Sequence, residues 1–188
     1  MEYFEVLDEL GNKTGEIKER ELVHKDGNWH RAVHIWIIND LCEILLQKRS
    51  AKKENHPNMW HVSCAGHIVS KDDNIETVIK EIKEELGIDV NKEEIEFLFT
   101  IKEHNIAKMD YIENEFKDIF IIRKNVDIKD IVIDLEEVSE VKYVSIEEFK
   151  KMSENQNSNV VVPRYINEFI EMLKTIRKQV NKNICKKT

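Results

Sequence analysis

Between Gly66 and Ile88 the chain reads GHIVSKDDNIETVIKEIKEELGI, and this segment constrains the fold more than any other. Asp73, with Glu76 three residues on, makes a capping box, so the spacing predicts a helix beginning at Asp73. Ile75, Val78, Ile79, Ile82 and Leu86 recur at the i, i+3, i+4, i+7 spacing of a helix that buries one face. Gly87 ends that helix as the residue best suited to a left-handed turn. Glu81, Glu84 and Glu85 share another face, about 120° round from the apolar stripe, where they can line a cleft. Like charges at this spacing destabilise an isolated helix by about a few tenths of a kcal/mol, so the cluster points to a bound cation. An acidic run alone is more often a solvated helix face. The glycines in register on both sides, and the strand expected before the helix, favour a site.

The chain of 188 residues is long enough for one domain with a substantial core. Its apolar fraction of 41% and charged fraction of 35% describe a soluble globular protein. A net charge of −8 argues against general binding to nucleic-acid polymers. No apolar run approaches the roughly 18 residues of a membrane span. The start, MEYFEVLDELGNKTGE, is acidic and mixed, unlike a signal peptide. Cys42, Cys64 and Cys185 are widely spaced, which disfavours a disulfide framework or a structural zinc site. The cytoplasm is the expected compartment, and oligomeric state is left open, including a homodimer.

Residues 3–7, 31–38, 43–47, 60–69, about 95–103, 116–123 and 138–144 read as strands. Turns fall at 8–12 and at Asn39-Asp40, and 48–59 reads as a polar, basic loop. A short helix is expected over 146–152. A final helix beginning near Pro163 carries the stripe Ile166, Phe169, Ile170, Leu173 and Ile176, followed by a basic, frayed tail. The class is α/β, layered around a mixed sheet. Residues 1–157 form the main domain, and 158–188 supply a C-terminal helix packing on it, with the basic tail.

Taken residue by residue, the segment resembles the Nudix box, the metal-binding signature of MutT-like hydrolases that cleave diphosphates. Gly66 matches its opening glycine, Glu81, Glu84 and Glu85 its glutamates, and Gly87 with Ile88 its closing pair. Asp72 stands where the family has Glu, and Lys80 where it has Arg. The resemblance implies an α/β/α sandwich with a C-terminal helical extension. It also implies Mg²⁺ or Mn²⁺ held by the helix carboxylates. Hard cations of this kind prefer oxygen ligands and leave positions for phosphate oxygens.

A wider likeness covers about residues 3–150. YFEVLDELGNKTGE, HKDGNWHRAVHIWI, LLQKRSAKKENHPNMWHVSCAGH and IENEF together resemble the isopentenyl-diphosphate isomerase-like branch of the superfamily. That likeness implies a metal held by histidines and glutamates, with His30, His67, Glu113 and Glu115 at matching places and His24 as the weakest match. It also implies diphosphate contacts from Arg49 and Lys53. For His34, His56, His61 and His104 ordinary hydrogen bonding is the expectation. Isomerases of this branch have a cysteine just before the Gly-His pair, where this chain has Ala65. Cys64, one residue earlier on a strand, points to the opposite face and reads as a small core residue.

The expected function is therefore Mg²⁺-dependent hydrolysis of a diphosphate linkage in a nucleoside diphosphate derivative or other organic diphosphate. Glu81, Glu84 and Glu115 are the catalytic candidates, and Glu81, Glu84, Glu85, His30, His67 and Glu113 the metal ligands. The spacing does not choose between the box glutamates and Glu115 as general base. Isopentenyl-diphosphate isomerisation, disfavoured by Ala65, and non-catalytic binding of a diphosphate or nucleotide are the alternatives.

Overall fold

A computed structural model describes residues 2–70, 72–155 and 159–185, with the backbone alone at Ala107 and over residues 179–185. The elements run β1 (Tyr3–Leu7), β2 (Lys13–Glu19), α1 (Arg20–Asp26), β3 (Trp29–Ile38), β4 (Ile44–Arg49), β5 (Trp60–His61) and β6 (Cys64–His67). They continue with α2 (Asn74–Leu86), β7 (Ile95–Lys108), β8 (Tyr111–Arg123), β9 (Val138–Val144), α3 (Ile146–Glu154) and α4 (Ile166–Cys185). Among the described residues no helix is long and apolar enough to cross a membrane.

The strands form one mixed sheet built on β3. Along one edge β3 pairs in parallel with β8, from Trp29 opposite Asn114 to Ile38 opposite Arg123. Its other edge is shared in succession by β1 at Trp29, β6 at Ala32–Ile35 and β4 at Ile37–Ile38, all antiparallel. Successive side chains of a strand face opposite ways. Val33, Ile35 and Ile37 therefore pack with Val78, Ile82 and Leu86 of α2. Trp36 and Ile38 pack on the other side with Phe149 of α3 and Phe169, Ile170 and Leu173 of α4. The result is an α/β/α sandwich in which α4 shares the core of the sheet.

Helix α2 begins and ends where its sequence signals lie. The Asp73 side chain accepts from the Glu76 N–H at 2.8 Å, and the Glu76 carboxylate accepts from the Asp73 N–H at 3.3 Å. Gly87 closes the helix at φ 68, in the left-handed region.

Elsewhere the structure adds to or divides the expected elements. Strand β2 was not anticipated because KTGEIKE lies at an edge and is exposed over most of its length, so no apolar alternation marks it. Helix α1 spans RELVHKD, too short for a helical stripe. Strand β4 takes Lys48 and Arg49 from the expected loop, and β8 begins at Tyr111 rather than 116. The expected strand at 60–69 is two strands, one on β4 and one on β3. Between them the Ser63 hydroxyl donates to Leu45 O at 2.6 Å and accepts from Ile37 N–H at 2.7 Å, a side chain standing in for the ladder. Helix α4 runs to Cys185, so the expected frayed tail is helical that far. Residues 186–188 and the 157/158 boundary lie outside the described residues.

Ile82 is fully buried between α2 and the sheet. Ile82→Ala is expected to destabilise the protein by about 2–5 kcal/mol, read as a lower urea midpoint at unchanged m-value.

Candidate functional site

The period of two in β8 turns Tyr111, Glu113, Glu115 and Lys117 to one face, and all four line a cleft of about 810 Å³. Glu103 and Asn105 of β7 stand opposite Glu115 and Glu113 in register and join the lining. His34 of β3 and its partner Ala65 of β6 line it too, as does His67. Glu81, Glu84 and Glu85 of α2 meet the same space, with Arg49, Lys53 and Asn55 from the end of β4 and the following loop.

Glu81 enters the cleft because position 66 has no side chain. A methyl group on Gly66 would overlap the Glu81 carboxyl. Glu85 is only 7% exposed. Gln47 Nε2 at 3.0 Å and Cys64 Sγ at 3.1 Å both donate to its Oε2. One oxygen is thus held from the core side, leaving the other for a ligand. Glu84 is exposed at the rim. Burial, reinforced by Glu85 and Glu84, pushes the Glu81 carboxyl up to about 8. Burial likewise raises Glu85 to about 7 against its two hydrogen bonds. A divalent cation would relieve both effects.

A second cluster lies on the sheet. One ligand atom each from His24, His30, His67 and Glu115 falls within 4.8 Å of the others. His24 Nδ1 meets Arg20 O at 2.8 Å and His30 Nδ1 meets Asn28 O at 3.1 Å. A carbonyl can only accept, so each Nδ1 carries a proton, and Nε2 is the ring nitrogen left to face the cluster. Those two Nε2 atoms are buried and have no hydrogen-bond partner. His30 Nε2 approaches Glu115 Oε1 at 3.5 Å, while His67 Nε2 contacts the same oxygen at 2.9 Å. Burial opposes ionisation of Glu115, but the imidazoles of His30 and His67 and the charge of Lys117 outweigh it and hold its carboxyl well below the ordinary range. Burial pushes His24 down to about 4, keeping it neutral. Buried imidazole nitrogens without a hydrogen-bond partner, beside an ionised carboxylate, are a donor set that fits a metal ion.

Lys117 is satisfied by Glu103 at 2.7 Å and Glu115 at 2.9 Å. Arg49 has its Nε tied to Asn55 O at 2.9 Å, and no other hydrogen-bond partner among the described residues takes its terminal nitrogens. Lys53 is paired with Glu137. Glu113 faces the cleft with its carboxylate bonded to Asn105 Nδ2 at 2.8 Å and Asn55 Nδ2 at 3.3 Å, outside the histidine cluster.

Every site residue expected from the sequence thus reaches this cleft or the cluster beside it, but in different company. Glu115, not Glu113, stands among the histidines, and His24 joins them from the unanticipated helix α1. His34 and His61 line the cleft, where only ordinary hydrogen bonding was expected. Their signal was weak: His34 follows His30 by four residues, an even spacing that puts both on one strand face. Gln47 and Tyr111 had no signal beyond the parity of their strands.

The NUDIX domain family model matches residues 28–165. Nudix hydrolase 3 of Arabidopsis thaliana is 35% identical over 97% of this chain, which spans 24% of that relative's length. Isopentenyl-diphosphate Delta-isomerase 2 of Photorhabdus laumondii is 28% identical over 80% of this chain and 81% of its own. The crystal structure of DR0079 from Deinococcus radiodurans superposes with a TM-score of 0.68 at 14% identity, covering 92% of this chain and 99% of that one.

Gly66→Ala is expected to fold, because the group it displaces is the end of a flexible side chain. It should weaken Mn²⁺ binding, followed by electron paramagnetic resonance, by about 10–100-fold. Without metal, Glu81 keeps its proton to about pH 8 when folded but has an ordinary value of 4.5. The folded state then binds more protons than the unfolded state, and stability falls as pH rises through that interval. Buried histidines such as His24 work the other way only up to their ordinary value of 6.5. Metal-free protein should therefore lose thermal stability from pH 6.5 to 8, and Mg²⁺ should raise the melting temperature more at pH 8 than at pH 6.

Proposed function

The chain belongs to the Nudix family, and on that premise we propose that it hydrolyses a diphosphate linkage in a small organic molecule, with Mg²⁺ or Mn²⁺ at Glu81 and Glu85. The supporting observation is the admission of the Glu81 carboxyl, over Gly66, into the cleft that Arg49 also lines. A cation there would neutralise the diphosphate and acidify water.

Glu81 and Glu85 hold the ion in this reading, and Glu84 supports it from the rim. Gln47 and Cys64 fix one oxygen of Glu85 and so orient the other. Arg49 offers its terminal nitrogens to a phosphate as a bidentate donor, and Lys53 adds a point charge. Water attacks phosphorus, the P–O bond to the leaving phosphate breaks, and a carboxylate takes the water's proton. Glu81 and Glu115 both face the cleft in that role. The one whose Gln variant loses kcat while keeping Mn²⁺ affinity is the proton acceptor. His24, His30, His67 and Glu115, rich in imidazole, suit a softer divalent ion than Mg²⁺.

Isomerisation is the weaker reading. Ala65 lines the cleft where the isomerase resemblance requires a thiol, and Cys64 instead joins the core beside Glu85. Burial and the neighbouring Glu85 push the Cys64 thiol well up, which suits an inert group.

Glu85→Gln should lower Mg²⁺-dependent release of phosphate or a monophosphate by about 100-fold or more. The assay panel is nucleoside triphosphates, nucleotide sugars, dinucleotides, coenzyme A and isoprenoid diphosphates. Unchanged turnover in the folded variant overturns the assignment. Metal-dependent ligand stabilisation without turnover on any of them would instead mark a binding protein.

A further inference from the structure

On the side of the cleft formed by β3, β5 and β6 lie two histidines that neither the carboxylates of α2 nor the metal-type cluster uses. His34 is 8% exposed and His61 is 9% exposed, and both line the cleft. Their rings meet edge to face, with centroids 5.4 Å apart. His61 Nδ1 is buried without a hydrogen-bond partner. His34 is different, because a relay through the core determines which of its nitrogens carries the proton.

The relay begins at Trp36, also on β3. Its indole N–H can only donate, and it donates to the Tyr165 hydroxyl at 3.2 Å. Tyr165 in turn contacts His34 Nδ1 at 3.0 Å. With one lone pair taken by Trp36, the phenol keeps its own proton to give, and His34 Nδ1 is the acceptor in reach. Burial pushes the Tyr165 phenol up and His34 down to about 3, so both remain neutral at physiological pH. A neutral imidazole that accepts at Nδ1 carries its proton on Nε2. That N–H is His34's remaining polar group, and no partner among the described residues takes it.

We infer that Trp36 and Tyr165 lock His34 as a neutral Nε2–H donor into the cleft, where it selects substrates whose organic half offers an uncharged oxygen acceptor, a hydroxyl or carbonyl. The inference rests on the diphosphate-hydrolase reading for the identity of the other half. The charge of Arg49 also reaches His34 and His61 but is taken up by the diphosphate in that reading, and the other cations on this side of the cleft are already paired, which favours an uncharged acceptor over a second phosphate. Lys117 is already shared by Glu103 and Glu115, and Arg164 is paired with Glu103 at 3.2 Å. Tyr165 is a positioning residue here, acting only through His34.

The lock is read by long-range ¹H–¹⁵N NMR of the histidine rings. The wild-type protein should show His34 as a single Nε2–H tautomer from pH 5 to 8. Tyr165→Phe should mix the two tautomers. A wild-type Nδ1–H tautomer, or no change in Tyr165→Phe, overturns the lock. Selectivity is read as the ratio of kcat/KM for ADP-ribose over hexyl diphosphate, which lacks an acceptor on its organic half. His34→Phe should lower that ratio roughly 10-fold, chiefly through KM for ADP-ribose, and Tyr165→Phe should lower it less. An unchanged ratio in both variants overturns the selectivity role. The same pair of compounds is titrated calorimetrically in Ca²⁺. If wild-type protein turns over neither compound but its binding preference depends on His34, the hydrolase reading fails and this inference stands. Turnover with a ratio independent of His34 gives the reverse.

Discussion

The Glu81 carboxyl lies where the side chain of residue 66 would otherwise be. Among the described residues strand β6 pairs only with β3, through its four residues, and the helix that follows packs back over it. With any side chain at position 66, α2 could still bury Val78, Ile82 and Leu86 against the sheet, because those contacts lie on another helix face. Glu81 could not reach the cleft. The helix carboxylates would then be a solvated acidic face, the bland reading that an isolated acidic run deserves. The apolar stripe gives α2 its place, and the glycine gives that place a chemical use.

The buried polar groups around the cleft fall into two kinds. Lys117 between Glu103 and Glu115 is paired at close range and can be buried without a ligand. Glu81, Glu85, the Nε2 atoms of His24 and His30, and His61 Nδ1 are not satisfied in that way. Burying such groups costs free energy unless something compensates. Their convergence on one cleft and the cluster beside it is the physical reason to read this region as built for cations and a polar ligand. The relay from Trp36 through Tyr165 to His34 adds direction, since it crosses from the core packing of α4 to the cleft wall.

Much of the frame was legible because local signals agreed with one another. Asp73, Glu76 and Gly87 mark the ends of α2 through groups within the helix itself, so no tertiary contact was needed to find them. RAVHIWII and FKDIFIIR read as strands because they are rich in the β-branched and aromatic residues that fit a pleated, buried surface. Strand β2 and helix α1 escaped notice because one is an exposed edge and the other is two turns long. His24 lies on that short helix, and it was the weakest of the histidine matches because its spacing to His30 departs from that of the isomerases. The split of 60–69 depended on Ser63 bonding two strands that are distant in sequence, information no local window holds.

The sequence by itself determined the carboxylate helix, its capping, its buried stripe, and the glycine, histidine and arginine that resemblance placed near it. The helix, its capping and its stripe follow from spacing, which is a local property, whereas the histidine and arginine were only what the resemblance implies. Only the tertiary structure decided that Glu115 rather than Glu113 meets the histidines, that Gln47 and Cys64 grip one oxygen of Glu85, and that His34 answers to Tyr165. Each of those joins residues far apart in the chain, through strand register or helix docking. Register turns alternate residues to opposite faces, so a single step along β8 or β6 separates a cleft residue from a core one. The Glu81, Glu84 and Glu85 face with which the sequence is most outspoken therefore owes its position to one local pattern, and its company to the sheet.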